Sequence, residues 1–126
     1  MSVYESTDTI TLKCDASIAY ARFVQMNAVG DFNCKTADDQ SPGLVGVSVE
    51  DVTLLAGQTG CLGVAVSGVT KVTANGAVAS GDSIATDATG LAGPATAGDR
   101  RLGVALQPAA TGDIFAILLQ PGQLVA

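Results

Sequence analysis

The chain has 126 residues, a length typical of one domain. Twelve acidic residues against six basic ones give a net charge of −6, which argues against nucleic acid as a partner. No apolar run approaches the ~18 residues that a membrane-spanning helix needs, so a membrane is not expected either.

In chain order, residues 1–8 open polar and are interpreted as an extended N-terminal arm ahead of one β domain, residues 9–126. From residue 9 to 14, polar and apolar side chains alternate, which is the period of a half-buried strand. Residues 16–26 fit either a short helix or a strand, and the stretch from Phe23 to Met26 favours a strand. A polar loop is predicted over 35–43.

Segments 45–68 and 102–122 read as two copies of one strand-turn-strand unit. Each copy opens with large residues alternating with small ones, with Gly46 and Gly103 at matching places. Each then passes through Thr-Gly into an apolar strand, so Gly60 aligns with Gly112, and the first connection is five residues longer. A duplicated β unit without a catalytic side chain indicates a building block.

Turn signals separate the remaining short strands. Asn75-Gly76 predicts a two-residue β-hairpin, and further turns are expected over 87–90 and 97–99. Short strands with turns every 8–12 residues are typical of an all-β protein, a small sandwich or barrel.

The residues that could carry chemistry have simpler interpretations. Ser83 lies in a Gly-Asp-Ser-Ile block like that of a lipase-like hydrolase family, but the chain has no histidine to take its proton. Asp87 fits a turn better than an aspartic-protease site. Asp38 and Asp39 could bind calcium, although neighbouring acids in a loop are usually solvated. The sequence therefore predicts no enzyme, with no catalytic residue, no metal and no cofactor.

Three cysteines, Cys14, Cys34 and Cys61, follow no metal-binding or redox spacing. We expect them to be free and buried, as in a protein made in a reducing cytoplasm.

From residue 69 to 122 the chain resembles the capsid cement, or head decoration, family of tailed bacteriophages. The resemblance is carried by Gly81-Asp82-Ser83-Ile84, by Asp87-Ala88-Thr89-Gly90-Leu91, by Leu102-Gly103-Val104-Ala105 and by the closing strand 111–118. It implies a structural protein, usually a homotrimer, on the exterior of the virion, where it binds the major capsid protein and clamps neighbouring subunits. Residues 1–8 would correspond to the family's N-terminal arm.

We expect partner contacts at Tyr4 in the arm and at Thr9 and Thr11 on the polar face of the following strand. Arg100 and Arg101 are either a salt-bridging pair for a neighbouring subunit or a solvated strand entrance. A core of small side chains gives thin stability, which favours obligate assembly. The alternative function is a small β-sandwich that binds carbohydrate or peptide, for example in a virion fibre or adhesin, although the chain lacks the Trp that sugar sites often use.

Overall fold

The computed structural model describes residues 7–28, 30–38 and 43–120, and these residues form one nine-stranded sheet. The predicted all-β fold is confirmed, and no helix occurs in these three ranges. The strands are β1 (Thr7–Cys14), β2 (Phe23–Met26), β3 (Asn33–Thr36), β4 (Leu44–Ser48), β5 (Gly60–Thr73), β6 (Ser83–Thr86), β7 (Ala92–Pro94), β8 (Gly103–Ala105) and β9 (Ile114–Leu119).

The first five strands close into a barrel in the order β1-β3-β2-β4-β5, because β1 also pairs with β5. This first unit comprises residues 7–68. All its strand pairs are antiparallel except β1–β3, a short parallel seam in which Lys13 pairs with Asn33 and Cys14 with Cys34. Closure covers this side of β1 only where β3 reaches it, at Lys13 and Cys14.

The long strand β5 is shared between two units. At Gly68 it pairs with Thr7 of β1 and with Leu119 of β9. Beyond Gly68 it continues into a second unit, residues 69–120, with the order β5-β9-β8-β6-β7. A single parallel bridge from Ala74 to Ala92 brings β7 back to the end of β5.

The two units have the same strand order and the same register. Counterparts lie 60 positions apart at Ile18 and Val78, and 53 apart at Ala65 and Leu118, because the loops of the second unit are shorter. Matching pairs are Ile18–Val52 with Val78–Ala109, Cys14–Cys34 with Ala74–Ala92, Val24–Gly46 with Ile84–Gly103, and Val47–Ala65 with Val104–Leu118.

The equivalence therefore extends well beyond the two segments in which the sequence showed a repeat. It also shifts one alignment. Gly60 pairs with Cys14, and the counterpart of Cys14, Ala74, donates its N–H to the Asp113 carbonyl. Asp113, rather than Gly112, is the structural counterpart of Gly60.

Gly46 and Gly103 are needed for close packing of the backbone. A Cβ on Gly46 would run into the carbonyl oxygen of Ala65, and a Cβ on Gly103 would run into that of Leu118. Neither glycine has a positive φ angle, so the requirement is for space rather than for conformation. The small residues of the predicted repeat let two strands cross closely at the same corner of each unit.

Two groups of buried residues hold the molecule together. Leu12, Ile18 and Leu62 belong to the core of the first barrel. The other group spans both units, since it joins Phe23 of β2 to Phe115 of β9. Burial of such side chains contributes about 2 kcal/mol each, so this shared core couples the stability of the two units.

Two expectations about local structure change. The hairpin predicted at Asn75-Gly76 is wrong, because the residues on its two sides do not pair: β5 pairs with β9, while Val78 bridges Ala109. Asn75 instead donates a hydrogen bond from its side chain to Asp87, in the turn at 87–90, at 3.1 Å. In the predicted arm, residues 1–6 lie outside the described residues, whereas residues 7 and 8 already belong to β1.

Candidate functional site

Strand β1 has one edge that no described strand covers along most of its length. On one side it pairs with β5 from Thr7 to Cys14. On the other side its only strand partner within the described ranges is β3, which reaches only Lys13 and Cys14. We call the uncovered side of residues 9–12 the open edge of β1.

The hydrogen-bonding groups of Thr9 and Thr11 point toward this open edge. Gly63, opposite Thr11, uses its backbone on the far side: its N–H donates to Glu50 at 3.0 Å, and its carbonyl accepts the Val49 N–H at 3.1 Å. Because alternate residues of a strand face the same way, Thr9 and Thr11 point as Lys13 does, away from β5. Both threonines are exposed.

Three other residues were predicted to contact a partner, and the structure describes two of them. Tyr4 lies outside the described residues. Arg100 and Arg101 are half-buried and precede β8, in the second unit. The Arg101 guanidinium donates to the Gln120 side chain at 3.4 Å, a contact within the chain. Thr9 and Thr11 therefore lie together on the open edge of β1, whereas the arginines lie in the other unit.

The turn acids are occupied by structural bonds. Asp82 accepts the Ala79 N–H at 2.9 Å, and the same bond over three residues joins Asp99 to Thr96 and Asp113 to Ala110. In each turn the acid follows a glycine with positive φ. This Gly-Asp pattern, visible in the sequence, marks turns and leaves these carboxylates engaged in stabilising them.

Asp87 organises a fourth turn. Its Oδ1 accepts hydrogen bonds from the Thr89 N–H and hydroxyl, both at 2.8 Å, and from the Leu91 N–H at 3.0 Å. Burial alone would raise the pKa of this carboxyl, but these bonds and the one from Asn75 outweigh burial and lower the pKa. Its oxygens are used within the turn, as the sequence interpretation expected.

No group of three or more His, Cys, Asp or Glu side chains suited to a metal ion occurs in the described part of the chain. Asp38 forms an ion pair with Lys35 at 3.0 Å, and the hydrogen bond from Lys35 lowers the pKa of Asp38. Asp39 lies outside the described residues. Within those ranges there is also no helix long and apolar enough to cross a membrane.

The three cysteines are free, but only Cys14 and Cys34 are buried. Cys61 is exposed, so the expectation of three buried thiols was wrong for this residue, which lies on the outer side of β5 beside the buried Leu62. Burial raises the pKa of Cys34 to about 11 and also raises the pKa of Cys14. Buried thiols with raised pKa values are poor nucleophiles.

Sequence reasoning missed Phe32. This residue has a φ angle of 55° and an exposed fraction of 70 %. Its carbonyl accepts the N–H of Lys13 at 2.7 Å, which places it at the end of the open edge of β1. The only sequence signal was the neighbouring Gly30-Asp31 turn, which marked a loop without showing that an aromatic residue takes the left-handed conformation there.

These features define a class: a small all-β protein of two related units, with one strand edge that the described strands leave largely unpaired. A family model described as phage cement protein matches residues 2–120, and the chain belongs to that family. The family resemblance is thus confirmed, and with it a capsid-associated structural role in a bacteriophage.

A search of curated proteins finds no match. Among solved structures, the chain is similar to the N base of head fiber gp8.5 in bacteriophage phi29, with 19 % identity and a TM-score of 0.73. The match covers 96 % of this chain and 100 % of that chain. At this identity the likeness shows the fold.

Proposed function

We propose that this chain is a capsid decoration protein that binds the outside of an icosahedral phage head and stabilises contacts between major capsid subunits. Membership of the phage cement family supports a place on the capsid. The observation that carries the proposal further is the open edge of β1, where Thr9 and Thr11 present backbone groups to solvent. A role without catalysis accords with this family and with acids that are engaged in turns.

Attachment would proceed by strand addition. An extended segment of a capsid subunit pairs with β1 through the N–H and C=O groups of Thr9 and Thr11. Main-chain hydrogen bonds supply affinity, and side chains along the edge supply specificity. Tyr4 would add a further partner contact, and Arg100 and Arg101 would meet a second capsid subunit or a sister copy.

The direct test uses undecorated heads from the phage that encodes this chain. Heads incubated with the purified protein should become decorated and should withstand heating better than bare heads. Occupancy is measured by sedimentation and gel densitometry, and head stability by release of DNA. Bare heads that bind nothing would contradict the proposal.

A proline at Thr11 tests the attachment mode. Proline removes the N–H that points to the open edge, whereas the β1–β5 ladder does not use that N–H. Thr11→Pro should therefore retain the fold and weaken binding to heads at least tenfold. Thr11→Val, which keeps the backbone donor, is the matched control and should bind as the unmodified chain does.

We also propose that the protein is a homotrimer. Large apolar residues are exposed on the single chain, among them Ile10 at 42 % and Ile114 at 50 %. Burial of such residues between copies would add stability that one copy lacks. Sedimentation at micromolar concentration measures the state directly, and a stable monomer would remove this part of the proposal.

A second candidate function is the base of a head fibre. The likeness to the phi29 structure favours it, since a similar fold forms the N base of a head fibre there. Counting copies in purified virions separates the two functions. A decoration protein should be present in copies across the whole lattice. A fibre base should instead have a longer partner protein at each copy. Binding to immobilised glycans, with none to heads, would instead favour the carbohydrate-binding alternative.

A further inference from the structure

Phe32 differs from the other two phenylalanines of the chain. Phe23 and Phe115 are each 1 % exposed in the core, whereas Phe32 is 70 % exposed at the tip between β2 and β3. Its carbonyl accepts the Lys13 N–H, so Phe32 lies where the open edge of β1 meets β3. A partner strand added along Thr9 and Thr11 would end beside this residue.

The backbone at Phe32 has a conformation that costs free energy for any residue with a Cβ. Its φ angle is 55°, and the counterpart in the second unit is Gly90, with a φ angle of 80°. Counting back from the matching pairs of β3 and β7 gives this equivalence. Glycine therefore serves the same turn without strain, and a large exposed side chain in its place points to a use outside the fold.

The contact between the two units of one chain offers a model for how a second copy could dock. In that arrangement a second copy fits the Phe32 tip poorly. In the second unit the Gly90 turn packs on the first: the Phe23 N–H donates to the Gly90 carbonyl at 2.9 Å. A Cβ at Gly90 would lie 2.7 Å from Thr36 and 3.0 Å from the Phe23 carbonyl oxygen. Phe32 has that Cβ, and its own carbonyl is already bonded to Lys13.

Charge opposes the same contact between copies. Arg22 donates to the carbonyl of Thr89 at 3.4 Å when the two units of one chain meet. The counterparts of these residues are Asp82 and Asp31, so a repeat of the contact between copies would lose the arginine donor and place two acidic residues at the interface. The chain therefore disfavours a contact between copies that repeats the one between its two units.

We infer that Phe32 is an anchor that enters an apolar pocket of a different protein, the capsid subunit that adds a strand to β1. This inference rests on the proposed function. The exposed carboxylates of Asp15 and Asp31 lie near the tip, together with Lys13, and the whole chain carries a net charge of −6. The pocket that fits is apolar at its base and has basic residues at its rim.

The test compares variants of Phe32 in binding to undecorated heads. Phe32→Gly removes the ring and relieves the backbone, so it should fold at least as stably and bind at least tenfold more weakly, as expected for an aromatic hot spot. Asparagine tolerates the same φ angle, so Phe32→Asn should fold and bind heads as Phe32→Gly does. Phe32→Tyr should keep most of the binding.

Leu55→Ala is the matched control, because Leu55 is 72 % exposed on a loop of the same unit. It should leave binding unchanged, and every variant should sediment as the unmodified chain does. Undiminished binding of Phe32→Gly overturns the inference and leaves the proposed function standing. A change in oligomeric state overturns it in favour of a contact between copies. If the unmodified chain fails to bind heads, the proposed function fails and this inference with it.

Discussion

The first and second units repeat one pattern of strand pairing, yet their turns have diverged. The differing counterparts at the turns are Ala21 and Gly81, Arg22 and Asp82, and Phe32 and Gly90. The second unit has glycine wherever the backbone is left-handed at these places, and the first unit has a side chain. Hydrogen-bonded register tolerates such change, because it depends on the backbone, whereas turns define the surface each unit presents.

The two units also differ in how they close, and this difference bears on their relative stability. The first barrel closes at a parallel seam of two residue pairs, while the second closes at the single bridge from Ala74 to Ala92. The turn around Gly90 in the second unit rests on the first. We therefore expect the second unit to depend on the first for its stability more than the reverse.

The largest effect is expected from substitutions at the close approach of strands that both units share. Gly46→Ala and Gly103→Ala each force a Cβ against a carbonyl oxygen of the neighbouring strand, which cannot move without breaking the ladder. Each should lower the free energy of unfolding by about 3 kcal/mol or prevent folding. Urea unfolding measures the loss.

Gly63→Ala is the control for that pair. Its Cβ would meet only side-chain atoms, of Val49 at 3.0 Å and of Glu50 at 3.8 Å, and the counterpart position already holds Ala116. It should cost less than about 1 kcal/mol. Equal losses in all three variants would show that the close approach of strands is not the cause.

The next effect concerns the contact between the units. Gly90→Ala adds a Cβ at a φ angle of 80° and 2.7 Å from Thr36, and it should cost about 3 kcal/mol. Gly112→Ala has a similar φ angle of 85° with open space around it, and should cost only about 1 kcal/mol. The gap between these two variants, read from thermal unfolding, measures the packing of the second unit on the first.

Asp87 supports the same turn through ionisation. Asp87→Ala removes its hydrogen bonds and should cost about 2 kcal/mol at neutral pH. Because the folded pKa lies below the ordinary 3.8, this stability is present above that value and is lost as the pH falls through the folded pKa. The gap between variant and unmodified chain should narrow below about pH 4.

Asp87→Asn keeps an oxygen for Thr89 and Leu91 but sets an amide against the amide of Asn75. Unfolding measured from pH 7 down to about pH 3 should therefore show a smaller loss, without titration of this side chain. A constant gap between Asp87→Ala and the unmodified chain across that range would contradict the assigned role of the carboxylate.

The sequence repeat was visible where packing restricts the residue type. Gly46 and Gly103 face a carbonyl oxygen, so both copies keep glycine and the alternation around it. The earlier strands escaped notice because their shared requirement is only for a small buried group: Cys14 and Ala74 are counterparts with unlike side chains. Their parallel pairing joins segments far apart in the chain, which local periodicity does not report.

The candidate site was likewise predictable only in part. The alternation around Thr9 and Thr11 predicted a polar strand face, since period-two patterns arise from the strand itself. That their backbone groups lie on an open edge depends on where β3 ends, which is a tertiary feature. Phe32 could not be predicted, because its left-handed backbone runs against the preference of its own residue type.

The smallest effect sharpens the comparison of the turns themselves. Ala21 has a φ angle of 60° and is fully buried, and its counterpart Gly81 has a φ angle of 90° with no atom within 4 Å of an added Cβ. Ala21→Gly relieves strain but loses a buried methyl group and stiffness of the unfolded chain, so its net effect should be within about 0.5 kcal/mol of zero. Gly81→Ala gains no contact and should cost about 1 kcal/mol. Chemical unfolding of both variants resolves this difference. If Gly81→Ala proves neutral, the second unit does not need glycine at this turn, and Gly81 and Ala21 would be interchangeable solutions to one backbone conformation.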